Sequence, residues 1–192
     1  MRTTTRTTTT ATTGAGRLPG DPTPRQLVER VIRVDHAGEY GAQRIYQGQL
    51  AVLRGTRWEP LLRHMQAQEQ AHLDTFSRLI AQRRVRPTAL LPLWHLAGYA
   101  LGAGTALLGH RAAMACTVAV EEAIDEHYAA QEAALGEDEA PLKGHIARFR
   151  AEELEHRDIG LEHEAEQAPA YRLLSAVIKA GCKAAIRVSE RV

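Results

Sequence analysis

The sequence predicts an all-α fold. Three observations carry the prediction. No stretch alternates with a sustained period of two, and apolar residues recur at three- and four-residue spacing through most of the chain. Aromatic residues make up only 5%, which disfavours an all-β core. The length of 192 residues fits one domain, and 44% hydrophobic residues supply enough apolar mass for a core. Twenty-four basic residues against 23 acidic ones leave a net charge of +1, so there is no basic excess to attract nucleic acid. The two cysteines, Cys116 and Cys182, stand in apolar helical surroundings; this excludes a disulfide scaffold and points to a reducing compartment.

Residues 1–20 are rich in threonine, carry Arg2, Arg6 and Arg17, and contain no acid. They lack the apolar run of a secretory signal and the amphipathic residues of a transit peptide, so residues 1–22 are expected to be a disordered tail. Order is expected from residue 23, with Thr23 as N-cap and Pro24 at the first helical position. The first helix covers 24–54, carrying Leu27, Val31, Val34, Ile45, Leu50 and Leu53, and ends near Gly55. A second covers 59–84 with Leu61, Leu62, Met65, Leu73, Phe76 and Ile80, and Pro87 follows. Two more amphipathic helices occupy 111–135 and 139–166, separated by Gly136 and an acidic turn. A last helix runs from about Ala170 to Val188.

The segment 87–109 stands apart, because its 23 residues include no Asp, Glu, Lys or Arg. That length could in principle cross a bilayer, but Pro92, four glycines and His95 make it a poor simple span. A buried helix or hairpin capping the bundle, or an element lying in a membrane surface, fits the composition better.

The chemistry lies in two histidines that each follow a glutamate by three residues, Glu69-x-x-His72 and Glu153-x-x-His156. Residues three apart share a helical face, so each pair can turn a carboxylate and an imidazole toward one point. One such pair is common by chance. Here Glu39 precedes Glu69 by thirty residues and Glu121 precedes Glu153 by 32, so the pattern Glu…Glu-x-x-His occurs twice, on two helix pairs. Isolated buried carboxylates are costly, so such residues in apolar helix interiors need pairing or a metal. Four glutamates and two histidines from four helices form the ligand set of di-iron and di-manganese carboxylate bundles. Spacing alone leaves Glu121 and Glu122 as competing candidates, whereas Glu153 is favoured over Glu152 because only Glu153 stands three before a histidine. Tyr128, two turns after Glu121 on the same face, is a candidate hydrogen-bonding or electron-relay residue at the site. Asp35, one turn before Glu39, is a candidate to orient a ligating imidazole, with a surface or capping role as the alternative. His36, His64, His110, His127, His145 and His163 lack ligand spacing and read as structural or exposed.

The segments RVDHAGEYGAQRIYQGQLAVL (33–53), RVRPTALLPLWHLAGYALGAGTALLG (84–109), ACTVAVEEAIDEHY (115–128), FRAEELEHRDIGLEHEAE (149–166) and APAYRLLSAVIKAGCKAAIRVSERV (168–192) closely resemble the demethoxyubiquinone hydroxylase family. The resemblance covers residues 27–192. It implies a ferritin-like four-helix bundle with an extra membrane-associating helix at about 87–109 and a C-terminal helix, forming one di-iron domain over 23–192. It places the metal ligands on Glu39, Glu69, His72, Glu121, Glu153 and His156, and so chooses Glu121 over Glu122. Glu39 and Glu121 are then expected as terminal ligands and Glu69 and Glu153 as bridges, around two iron ions.

The implied reaction is O2-dependent hydroxylation of the ring of a polyprenyl demethoxy-benzoquinone or quinol in ubiquinone biosynthesis. A ring C–H without a leaving group needs activated dioxygen, which a reducible metal pair supplies and zinc does not. The reductant is expected to be external: a nicotinamide-dependent reductase, NADH directly, or the quinol itself. An iron- or peroxide-handling oxidoreductase of the ferritin–rubrerythrin type is the alternative, disfavoured by the large uncharged segment. The insoluble substrate requires a membrane surface. A single crossing by 87–109 would put Glu39, Glu69 and His72 opposite the other three ligands, so a peripheral protein is expected. Its place would be the cytoplasmic face of a bacterial inner membrane, or alternatively the matrix face of the mitochondrial inner membrane. Exposed apolar surface also favours a homo-oligomer or association with other ubiquinone-biosynthesis proteins.

Overall fold

A computed structural model describes residues 20–192, and among these the regular structure is entirely helical. Residues 1–19, which include most of the expected tail, lie outside the described residues. Six α-helices follow in order: α1 (Pro24–Leu53), α2 (Glu59–Arg83), α3 (Leu91–Leu107), α4 (His110–Ala134), α5 (Ala140–Glu162) and α6 (Tyr171–Ser189). The α1/α2 and α4/α5 pairs are hairpins that face each other as a four-helix bundle, with α3 laid mainly on α1 and α6 mainly on α4. This is the bundle with two added helices that the resemblance implies.

Helix starts and stops follow local chemistry. Thr23 caps α1 by accepting from the Gln26 amide at 3.1 Å, while Gln26 Oε1 accepts from the Thr23 amide at 2.8 Å. This reciprocal pair satisfies two otherwise orphaned donors. Arg84 ends α2 in the left-handed conformation, with φ of 54°. The largest departure from expectation is at α5, which stops at Glu162 instead of reaching 166. Glu164 takes a left-handed φ of 65°, held by Arg111 at 3.0 Å and facing His110 at 3.5 Å. The chain then makes a 3₁₀ turn that buries Ala165 in the core.

The uncharged segment forms α3, and glycine brings it close to α1. A Cβ on Gly98 would stand 2.8 Å from the Gly41 carbonyl oxygen, and one on Gly102 would overlap the Ile45 carbonyl. A side chain at either position would force the helices apart. Among the described residues no helix is long and apolar enough to cross a membrane.

One apolar cluster of Ile45, Cys116, Ala119, Val120 and Ile178 joins α1 and α4 to α6, and within the bundle itself two apolar plugs stand with a polar layer between them. One gathers Tyr46, Leu50, Leu62, Met65 and Met114, the other Ile32, Phe76, Tyr128, Ile146 and Phe149. On α2 the buried stripe runs Leu62, Met65, Glu69, His72, Phe76, and on α5 it runs Ile146, Phe149, Glu153, His156, Gly160. Both stripes keep helical spacing, so the same periodicity that buries the apolar residues carries each Glu-His pair into the bundle centre.

Candidate metal centre

All six residues of the duplicated pattern meet in this layer, and each is at most 2% exposed. Ligand atoms of Glu39, Glu69, His72 and Glu153 lie within 4.8 Å of one another, and so do those of Glu69, Glu121, Glu153 and His156. Glu69 and Glu153 belong to both groups. Each remaining glutamate and each histidine belongs to one, so the layer is two four-residue sets sharing two carboxylates.

Both imidazoles turn Nδ1 inward. His72 Nδ1 donates to Glu153 Oε1 at 3.1 Å and stands 3.5 Å from Glu39 Oε2. His156 Nδ1 lies 3.2 Å from Glu153 Oε2 and 3.2 Å from Glu69 Oε1. Glu153 therefore stands between the two rings with one oxygen toward each.

Four carboxylate oxygens in this layer, Glu39 Oε2, both of Glu69 and Glu121 Oε2, are buried without a hydrogen bond. The approaches of Glu39 Oε2 and Glu69 Oε1 to the imidazoles are electrostatic and fall outside hydrogen-bond geometry. Unsatisfied buried carboxylate oxygens are expensive in a protein interior, and a cation in each of the two sets would satisfy all four. Oxygen-rich sets with a single imidazole each suit iron or manganese better than a thiolate-seeking metal.

The electrostatics describe a cluster that holds protons when no cation is present. Burial raises the carboxyl of Glu39, and burial together with the Glu153 charge carries Glu69 and Glu121 well above the ordinary range. Glu153 resists its own burial: hydrogen bonds from His156 and His72 pull it down to about 2. Burial opposes the charge on His72, but Glu153 and Glu39 outweigh it and push the ring up to about 12. The same contest, with Glu153 and Glu69 as partners, brings His156 to about 9. Glu153 is thus the anion between two imidazolium rings.

Two tyrosines hold the outer glutamates, and they cross between the halves. Tyr128 on α4 donates its hydroxyl to Glu39 Oε1 on α1. Tyr46 on α1 donates to Glu121 Oε1 on α4 at 3.4 Å, with its oxygen 3.7 Å from Met65 Sδ. Burial, then the facing carboxylates, keeps both phenols protonated well above their usual range. Tyr128 was a candidate from its place seven residues after Glu121; Tyr46 stands seven after Glu39 and carries the same signal.

The flanking residues sort themselves by contact. Glu122 pairs with Lys179 on α6, outside the layer. Glu152 lies at the edge of the site and accepts from His72 Nε2 at 2.6 Å. Asp35 does not orient a ligating imidazole and is neither a cap nor exposed. It is buried, accepts from Gln131 Nε2 at 2.7 Å and stands 3.4 Å from His127 Nε2. The helical turn from Glu39 points it along the bundle toward α4, away from both ligand rings.

Beside the layer lies a cavity of about 410 Å³ between α1, α3, α4 and α6. Gly38, Ala42, Val120 and Ile124 line it. Two of these immediately precede Glu39 and Glu121, so the cavity runs along the backbone that carries both outer glutamates. Trp94, Leu101, Val177 and Ile178 complete an apolar wall. At its flanks α3 exposes Leu93 and Leu96, and α6 exposes Leu173 and Val177.

The family described as "Ubiquinone biosynthesis protein COQ7" matches residues 26–189. A Rhodospirillum rubrum protein named 3-demethoxyubiquinol 3-hydroxylase is 65% identical over 181 residues, covering 94% of this chain and 85% of the relative. The Homo sapiens NADPH-dependent 3-demethoxyubiquinone 3-hydroxylase, mitochondrial, is 56% identical over 176 residues, covering 90% and 81%. The Saccharomyces cerevisiae 5-demethoxyubiquinone hydroxylase, mitochondrial, is 42% identical over 183 residues, covering 86% and 78%.

Proposed function

We propose, from the premise that this chain belongs to the COQ7 family of ubiquinone biosynthesis proteins, that it hydroxylates the ring of a polyprenyl demethoxyubiquinol at a di-iron centre. The observation that carries the reading is the pair of four-residue sets sharing Glu69 and Glu153, set against an apolar cavity. His72 and Glu39 would hold one iron and His156 and Glu121 the other, with Glu69 and Glu153 common to both. Ferrous ions held there would supply the redox chemistry that dioxygen activation requires.

The chain's own residues do the rest. Tyr128 and Tyr46 fix one oxygen of Glu39 and of Glu121, leaving the second oxygen of each free to face a cation. The two apolar plugs exclude water from the layer, which strengthens every charge interaction inside it. The cavity accepts the ring and the first prenyl units; its walls are largely apolar, and the Trp94 indole N–H is taken up by the Ser189 hydroxyl. The reaction adds one oxygen atom to a ring C–H and reduces the other to water, so it draws two electrons and two protons from a donor. A reduced nicotinamide is the donor favoured by the names of the mammalian relatives. The exposed leucines of α3 and α6 would rest in lipid beside the cavity, making the protein peripheral to the membrane that holds its substrate.

Iron per chain on anaerobically purified protein, followed by one dioxygen turnover with a demethoxyquinol analogue, tests the reading. About two irons and a hydroxylated quinol are expected for a shared two-metal site. Oxygen consumption without quinol product would move the function to an iron or peroxide oxidase, and absence of iron after reconstitution would end the metal reading.

Proton linkage gives a second expected result. His156 is raised from 6.5 to about 9 in the folded chain, so its contribution is fully present below pH 6.5 and is lost as pH rises through 9. His72 is raised further and follows in the same direction, as do the raised carboxyls of Glu39, Glu69 and Glu121. Between pH 6.5 and 9 the metal-free protein should therefore lose stability, while cation uptake releases protons and tightens. Thermal unfolding with and without metal at both pH values should show a wider gap at the higher one. An unchanged gap would contradict it.

A further inference from the structure

The two halves of the centre share one plan, but they differ at the residue that backs each imidazole. In each Glu-x-x-His motif the residue just before the glutamate reaches across the bundle and bonds the imidazole of the other motif. Glu152, before Glu153 on α5, accepts from His72 Nε2 at 2.6 Å. Gln68, before Glu69 on α2, accepts from His156 Nε2 through Oε1 at 3.0 Å. One ring is backed by a carboxylate, the other by a neutral amide.

We infer that this difference makes the halves unequal, with Glu152 acting as the positioning residue that makes the His72 half the tighter cation subsite. A carboxylate on the outer nitrogen locks the ring with Nδ1 inward, draws the Nε2 proton toward itself and leaves Nδ1 a stronger electron donor. The amide of Gln68 orients its ring in the same way but adds no charge. Arg148, more than half exposed, stands 3.7 Å from the other oxygen of Glu152. The crossed bonds also tie α2 to α5, so each ring orientation depends on both hairpins.

This inference rests on the metal reading above, and the test separates the two. Metal-free protein is titrated with cobalt(II), followed by calorimetry and visible absorption. The wild type should bind two ions in steps separated by about tenfold or more, and Glu152→Gln should weaken the tighter step by about 10- to 100-fold. Gln68→Glu should strengthen the weaker step. The halves are assigned with one-ion proteins: Glu121→Gln keeps the His72 half and Glu39→Gln keeps the His156 half. Adding Glu152→Gln should weaken the ion in the first and spare the ion in the second. Two equal wild-type steps, or equal weakening in both one-ion proteins, would overturn the inference. A wild type that binds no ion would overturn the metal reading beneath it. Both outer residues are partly exposed, and far-ultraviolet circular dichroism checks that each variant is folded.

Discussion

Glu153→Gln is expected to reduce the metal content from about two ions per chain to at most one and to cut hydroxylation by at least about 100-fold, beyond what changes behind the ligands cost. Glutamine conserves the volume, so the loss does not come from a void. It comes from removing the one anion that lies within 3.2 Å of both imidazoles and belongs to both four-residue sets. The metal-free protein should weaken as well. Two protonated rings would be left buried without their shared counter-ion, and breaking a buried pair in this way costs about 3–5 kcal/mol. Metal analysis, product assay and urea unfolding of the metal-free form check the three parts. Glu122→Gln is the control: it loses only the partly exposed pair with Lys179, worth about 0–1 kcal/mol, and should keep both metals. Two metals and full activity in Glu153→Gln would remove Glu153 from the site.

Filling the cavity should separate substrate access from metal binding. Gly41 lines the cavity on α1, and a Cβ there would meet nothing within 4 Å. Leucine at this position places its branch where the proposed ring or prenyl chain lies, and a displacement of about 1 Å from the productive geometry costs about 100-fold in rate. Gly41→Leu should therefore lose most hydroxylation of a long-tailed quinol. Replacing glycine inside a helix gains about 0.5–1 kcal/mol, so folding and metal content should hold. Metal content, thermal midpoint and turnover with long- and short-tailed quinols give the comparison. Unchanged turnover of the long-tailed quinol would show that the substrate does not use this cavity.

The helices and their order were legible in the residues, because apolar periodicity and caps such as Thr23-Pro24 are local properties of the chain. So was the duplicated Glu…Glu-x-x-His pattern, since three-residue spacing fixes which side chains share a face. The end of α5 was not legible. Its helical pattern continues past Glu162, but Glu164 takes a left-handed turn there with its carboxylate on the distant Arg111 and His110. The pattern could not separate Glu121 from Glu122 either. That depends on which face of α4 meets α6, where Lys179 pairs with Glu122.

Tyr46 was missed because a tyrosine two turns from a glutamate is an ordinary packing residue until a facing helix supplies its acceptor. For the same reason Asp35 was aimed at the wrong partner. By itself the sequence determined that each Glu-x-x-His pair shares one helical face. The tertiary structure alone decided what each group touches, because Tyr128 to Glu39, Tyr46 to Glu121, Glu152 to His72 and Gln68 to His156 all cross between hairpins. Periodicity along one helix carries no information about the rotation and register of its neighbour, and those contacts exist only once the hairpins close on each other.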